Sequence, residues 1–126
     1  MRPRTLREVA EHAALGHSFD QCLANFLDEF YARPRAEVLM EMPTLLAPLK
    51  GDTGRVQDVY LAATAEELCS KHAMPLPTWT AAPERSLDRP WFAIPWASLR
   101  AVLLLESPAG FRSRNLFVSE NALSRA

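Results

Sequence analysis

The 126 residues suffice for one domain and are too few for two ordinary ones, and an apolar share of 48% predicts a packed core rather than disorder. Fourteen basic against fifteen acidic residues leave a net charge of −1, which excludes a global field drawing the chain to nucleic acid or an anionic membrane. Twelve of the basic residues are arginine, whose fork suits carboxylate and phosphate partners.

The chain opens with two predicted helices. Thr5-Leu-Arg-Glu8 is a capping-box pattern, a hydroxyl to cap an N–H and a carboxylate to reach back. Leu6, Val9, Ala10 and Ala13 follow at helical spacing, and Gly16 marks a left-handed stop. Ser18-Phe-Asp-Gln21 repeats the cap. Behind it Phe19, Cys22, Leu23, Phe26, Leu27 and Phe30 form the clearest apolar stripe in the sequence, with Asp20, Asn25, Asp28 and Glu29 on the wet side.

Pro34 suits the first turn of a third helix running to Met42, with Val38, Leu39 and Met42 facing inward. Pro43 and Pro48 flank Leu45 and Leu46 in an irregular apolar stretch, and Gly51-Asp-Thr-Gly54 reads as a turn and helix start. The longest helix is expected over residues 55 to about 72. It carries two stripes, Val56, Val59, Tyr60 and Ala63 on one side and Leu61, Ala65, Leu68, Cys69 and His72 on the other, which predicts a central position.

Proline then punctuates Met74-Pro-Leu-Pro-Thr-Trp79 and Ala82-Pro-Glu-Arg-Ser-Leu-Asp-Arg-Pro-Trp-Phe92, which are expected to be extended or turn-like. Their aromatic rings predict a segment that wraps the helices and inserts Trp79, Trp91 and Phe92. Helical character returns over 96–105, with Trp96, Leu99, Val102 and Leu103 on one face. Ser107-Pro108 begins a further turn that Gly110 ends, and residues 119–123 form a last short helix. The expectation is an all-α fold, a compact bundle of about five helices within a single domain over residues 1–126: amphipathic helices in 1–50, a central helix in 51–73, and a Pro/Trp-rich segment, helix and tail in 74–126.

Several chemistries can be weighed from residue types and spacing. His12, His17, Cys22, Cys69 and His72 could ligate a metal, but His12, His17 and Cys22 stand five apart and straddle Gly16, so no helix face collects them. Cys69 and His72 share a face, yet zinc normally needs three or four protein ligands. The same pair could in principle serve a small enzyme as nucleophile and base; against that, no G-x-S-x-G elbow and no phosphate-loop or dinucleotide fingerprint is present. The adjacent carboxylates Asp28-Glu29 and Glu66-Glu67 point about 100° apart on a helix and read as solvated faces. No catalytic, cofactor-binding or metal-ligating residue is therefore assigned.

Nucleic-acid binding by a regulator is the alternative reading, since Phe111, Arg112, Arg114, Asn115 and Phe117 mix arginine with aromatics. A helix-turn-helix in the first two helices is disfavoured, because Ala10 and Gly16 lie six apart where the motif needs four, and the second helix is acidic. Protein–protein interaction is the leading reading. Trp and Arg dominate binding hot spots, and the candidate surface is Trp79, Trp91, Trp96, Arg112, Arg114 and Asn115. For each Trp the competing role is core packing, and for Arg112 and Arg114 a salt bridge to helix carboxylates.

The motif order His72-Ala-Met-Pro-Leu-Pro-Thr-Trp79, Leu87-Asp-Arg-Pro-Trp-Phe92, Leu99-Arg100, Glu106-Ser-Pro108 and Phe111-Arg-Ser-Arg-Asn-Leu-Phe-Val118 resembles a segment of small uncharacterised bacterial proteins. Similar segments follow helix-turn-helix domains in regulators and antitoxin-like proteins of toxin–antitoxin loci, and the similarity spans roughly residues 55 to 126. The resemblance implies a helical accessory or antitoxin-like module that binds another protein, a product of the same operon; apart from the resemblance, the Phe19 to Phe30 stripe offers a face for homodimerisation. It carries over no catalytic residue. With no continuous apolar signal core at Met1-Arg2-Pro3-Arg4, no run approaching the roughly 20 residues of a membrane span, and two cysteines rather than a disulfide framework, a cytoplasmic, membrane-free location is expected.

Overall fold

The computed structural model describes residues 2–94 and 96–125. The chain is mostly helical, with seven α-helices among the described residues. α1 (Leu6–Ala14) starts where the Glu8 N–H donates to Thr5 Oγ1 at 3.0 Å, while the Glu8 carboxylate accepts the Arg4 N–H at 2.7 Å. It stops at Gly16, whose φ of +105° only glycine adopts freely. The Gly16 N–H donates to Ala13 O and the His17 N–H to Ala13's neighbour His12 O, the paired bonds of a Schellman end. α2 (Phe19–Ala32) is capped by Ser18 Oγ, which accepts the Gln21 N–H at 3.2 Å. It buries the six residues of the predicted stripe and packs against α1.

The third helix is shorter than expected. α3 (Glu37–Met40) is a single turn that buries Val38 and Leu39, and Met42 lies beyond it, exposed rather than inward. With Pro43 following, the chain leaves helical geometry at Glu41, where ψ is +131°. α4 (Ala47–Lys50) is another single turn, and it packs on α5 (Asp52–Lys71). That packing depends on Gly54: a Cβ there would lie 2.3 Å from Leu46 O, so only glycine permits this approach.

α5 spans about 30 Å at the usual helical rise and contacts α4, the Trp79 and Arg85 turns and the C-terminal elements. Ala62, Ala63, Thr64 and Ala65 are all buried, so its middle is covered on every side, as the two stripes predicted. Its end uses Ala73 at φ +54°, with the Met74 N–H donating to Cys69 O.

The proline-rich stretch folds into two 3-10 turns, Thr78–Ala81 and Pro83–Arg85, and then a strand. β1 (Trp91–Phe92) pairs in parallel with β2 (Leu116–Phe117), Trp91 opposite Leu116 and Phe92 opposite Phe117. The all-α expectation misses this pair, because two-residue strands are too short to show an alternating pattern. Parallel strands need a crossover; here it holds a 3-10 turn (Ala97–Leu99), α6 (Arg100–Glu106) and α7 (Ala109–Arg112). Gly110 sits inside α7 instead of ending it. It is buried against α5, where a Cβ would lie 3.0 Å from Glu67 Oε2. Residues 119–123 make a turn, closed by the Ala122 N–H on Ser119 O, rather than a helix. One cluster of buried apolar side chains extends from Leu6 to Leu123.

Candidate interaction surface

The six residues of the expected surface divide into two groups. Trp79 lies in the 3-10 turn after Pro77 and is buried; its Nε1 donates to Leu39 O at 3.0 Å, and the Arg85 guanidinium sits 5.0 Å from its ring centre. Arg114 is also buried. One Nη donates to Glu66 Oε1 and to Gly110 O, each at 2.7 Å, and the other donates to Thr80 O at 3.1 Å. Asn115 adopts φ +64° and donates from Nδ2 to Leu87 O at 2.8 Å, while its carbonyl accepts the Trp91 N–H at 2.9 Å. These three hold the fold together. Trp79 and Arg114 are turned away from solvent, and Asn115 is half-buried.

Trp91, Trp96 and Arg112 remain exposed. Trp96 is 66% accessible and precedes α6, which buries Leu103 alone. Of the expected face of Trp96, Leu99, Val102 and Leu103, only Leu103 is buried. Val102, Leu104 and Leu105 are all exposed, Leu105 at 82%. The heptapeptide Arg-Ala-Val-Leu-Leu-Leu-Glu is too uniformly apolar for periodicity to select one face, so this exposure has no clear signature in the sequence.

Asp58 and Arg85 form a wholly buried ion pair that the sequence does not announce as a pair. Asp58 accepts the Leu46 and Ala47 N–H groups, at 2.7 and 3.1 Å, and so caps α4. Arg85 donates to the backbone carbonyls of Asp58 and Pro43, and its Nη1 lies 3.9 Å from Asp58 Oδ1. Burial pushes the Asp58 carboxyl up and the Arg85 guanidinium down, against the hydrogen bonds and mutual attraction that oppose those shifts. A signal for Asp58 did exist. Continuing the Leu61, Ala65 and Leu68 stripe one turn backward lands on it, a carboxylate on an apolar face.

Cys69 and His72 turn to separate partners. The Cys69 thiol contacts Pro75 O at 3.5 Å and is pushed up by burial, and the His72 ring packs edge-on against Phe30 at 5.2 Å. Cys22 is buried and free as well. Among the described residues no three His, Cys, Asp or Glu side chains gather to hold a metal ion. No helix described is long and apolar enough to cross a membrane. Positive charge concentrates away from the expected tail, in a cleft of about 810 Å³ bordered by Arg2, Arg4, Arg33 and Arg35 over Phe30 and Val38. Arg2 there is paired with Glu29 at 3.2 Å.

No protein-family model matches the chain, and neither a curated protein nor a solved structure matches it.

Proposed function

We propose that the chain is a non-enzymatic protein-interaction module that docks another protein through residues 91–105, with its helices bundled around α5 as the support. The observation that carries this is α6, which buries one leucine and leaves Val102, Leu104, Leu105 and the preceding Trp96 in solvent. Contiguous exposed apolar patches on soluble domains mark contact surfaces. Between Asp88 and Glu106 the chain has two arginines and no acid. The complementary partner is thus an apolar groove with an acidic border, entered by a short helix. The antitoxin-like or regulatory role is the specific form of this reading, with the exposed Trp91, Trp96 and Arg112 as anchors in place of Trp79 and Arg114.

Co-expression with the products of the neighbouring genes tests it. Wild-type protein is expected to co-purify with one of them, and W96S/L105S to lose that complex while keeping its melting temperature. Failure to recover any complex, or a complex indifferent to W96S/L105S, overturns the proposal. The nucleic-acid reading stands second, favoured by the arginine cleft at Arg2, Arg4, Arg33 and Arg35. In place of a protein complex, a salt-sensitive shift of operon DNA abolished by R33E/R35E would transfer the assignment to it.

A further inference from the structure

A second concavity, of about 320 Å³, opens between the start of α2, the first turns of α5 and β1. Three of its walls are aromatic: Phe19, Tyr60 and Trp91. Each is fixed by its own element. Phe19 is the first residue of α2, directly behind the Ser18 cap, and meets Tyr60 edge-to-face at 6.1 Å. Tyr60 is held from behind by Phe111, at 4.9 Å and 80°. Trp91 is tethered through its backbone to Asn115. A volume near 320 Å³ lies at the small end of the range that holds compact organic ligands, roughly 300–1,000 Å³.

The charged groups around these rings share one sign, beside the neutral Thr53 and Gln57. Asp20 and Asp52 are both exposed at the pocket and carry negative charge. Gln57, on the same helix as Tyr60, also lines the pocket, while its Oε1 is buried and has no donor among the described residues. Among the described residues no lysine, arginine or histidine borders the pocket. Burial, with Asp20 adding to it, pushes the Tyr60 hydroxyl up to about 12, so it remains a neutral phenol with an intact ring face. Aromatic faces attract cations through their quadrupole, and flanking carboxylates add direct attraction. An anionic ligand would meet two like charges here, and a neutral apolar one would gain no attraction from either carboxylate.

We infer that this pocket is a binding site for an organic cation, an ammonium or guanidinium group on a compact apolar body, seated among Phe19, Tyr60 and Trp91 with Asp20 and Asp52 as counter-charges. The chemistry is shared by a free amine metabolite and by the side chain of a basic residue. The site shares Trp91 with the proposed docking surface but none of the α6 residues, so W96S/L105S leaves its lining unchanged and tests the two separately.

The test is a titration of the isotope-labelled full chain, followed at the Trp91 indole N–H and the Gln57 carboxamide. The probes are phenethylammonium, its neutral isostere 2-phenylethanol, and capped arginine amide. Saturable shifts at both reporters are expected with at least one cation, with 2-phenylethanol about tenfold weaker than phenethylammonium, the scale of one cation–π contact with a charge pair. D20N/D52N, which changes two exposed positions and leaves the core intact, is expected to erase that preference. Tighter binding of phenethylammonium supports the site as one for a free amine, and tighter binding of capped arginine supports it as one for a basic side chain. Equal binding of the neutral isostere, a preference that survives D20N/D52N, or no saturable shift with either cation overturns the inference.

Discussion

Arg85 is a charged side chain with almost no access to water, and its position is set by what it touches. It holds the carbonyls of Asp58 and Pro43 and lies under Trp79, so one guanidinium links α5, the turn before α4 and the 3-10 segment. Removing it leaves the Asp58 carboxylate buried with two backbone N–H groups but without the guanidinium that faces it. R85A is therefore expected to lower unfolding stability by about 3–5 kcal/mol, read from urea denaturation. The double variant D58N/R85A is expected to recover part of this, because the bare charge is gone; a double variant no more stable than R85A would contradict the pairing. Arg114 offers the same lesson by another route. In sequence it stands beside Arg112 in a basic stretch, and only the fold separates them, placing one against Glu66 and Thr80 and the other in solvent.

The elements that were legible are those whose signals are local. Thr5 and Ser18 cap the helices their spacing announces, and the six apolar residues of α2 are the six it buries. Elements defined by distant contacts were not. α3 ends early because Pro43 follows it; β1 and β2 exist only through each other, across a separation of 25 positions between Trp91 and Leu116. α5 shows a helix end under mild strain. Ala73 occupies the left-handed position after it at φ +54°, where an L side chain is disfavoured by about 1 kcal/mol. A73G is expected to raise the melting temperature by about 4 °C, the shift that such an energy gives a domain of this size. An unchanged or lower value in a thermal melt would mean that the Ala73 methyl makes compensating contacts.

Across the whole molecule, the C-terminal stretch closes on the N-terminal helices. Tyr31 donates its hydroxyl to Leu123 O at 2.8 Å, and Arg125 pairs with Asp28 at 2.9 Å. The hydrogen bond from Arg125 holds the Asp28 carboxyl below the ordinary carboxylate range. Its folded form thus binds a proton less readily than the unfolded chain does. The stabilisation is complete above the ordinary aspartate pKa of about 3.9 and is lost as pH falls through the lower folded value. D28N is expected to melt slightly below wild type at neutral pH, with the two curves converging in acid; a gap that persists in acid would assign the loss to packing. None of this closure was visible in the sequence, where residues 119–123 read as one more helix.

The bond from Tyr31 to Leu123 spans 92 positions, and that span has a meaning in time. At synthesis rates of about 5–20 residues per second, roughly 5–20 seconds pass between the emergence of one partner and the other. Throughout that interval the Phe19-to-Phe30 stripe of α2 lacks its final cover. Until Leu123 has been made, the N-terminal helices must hold together without this bond.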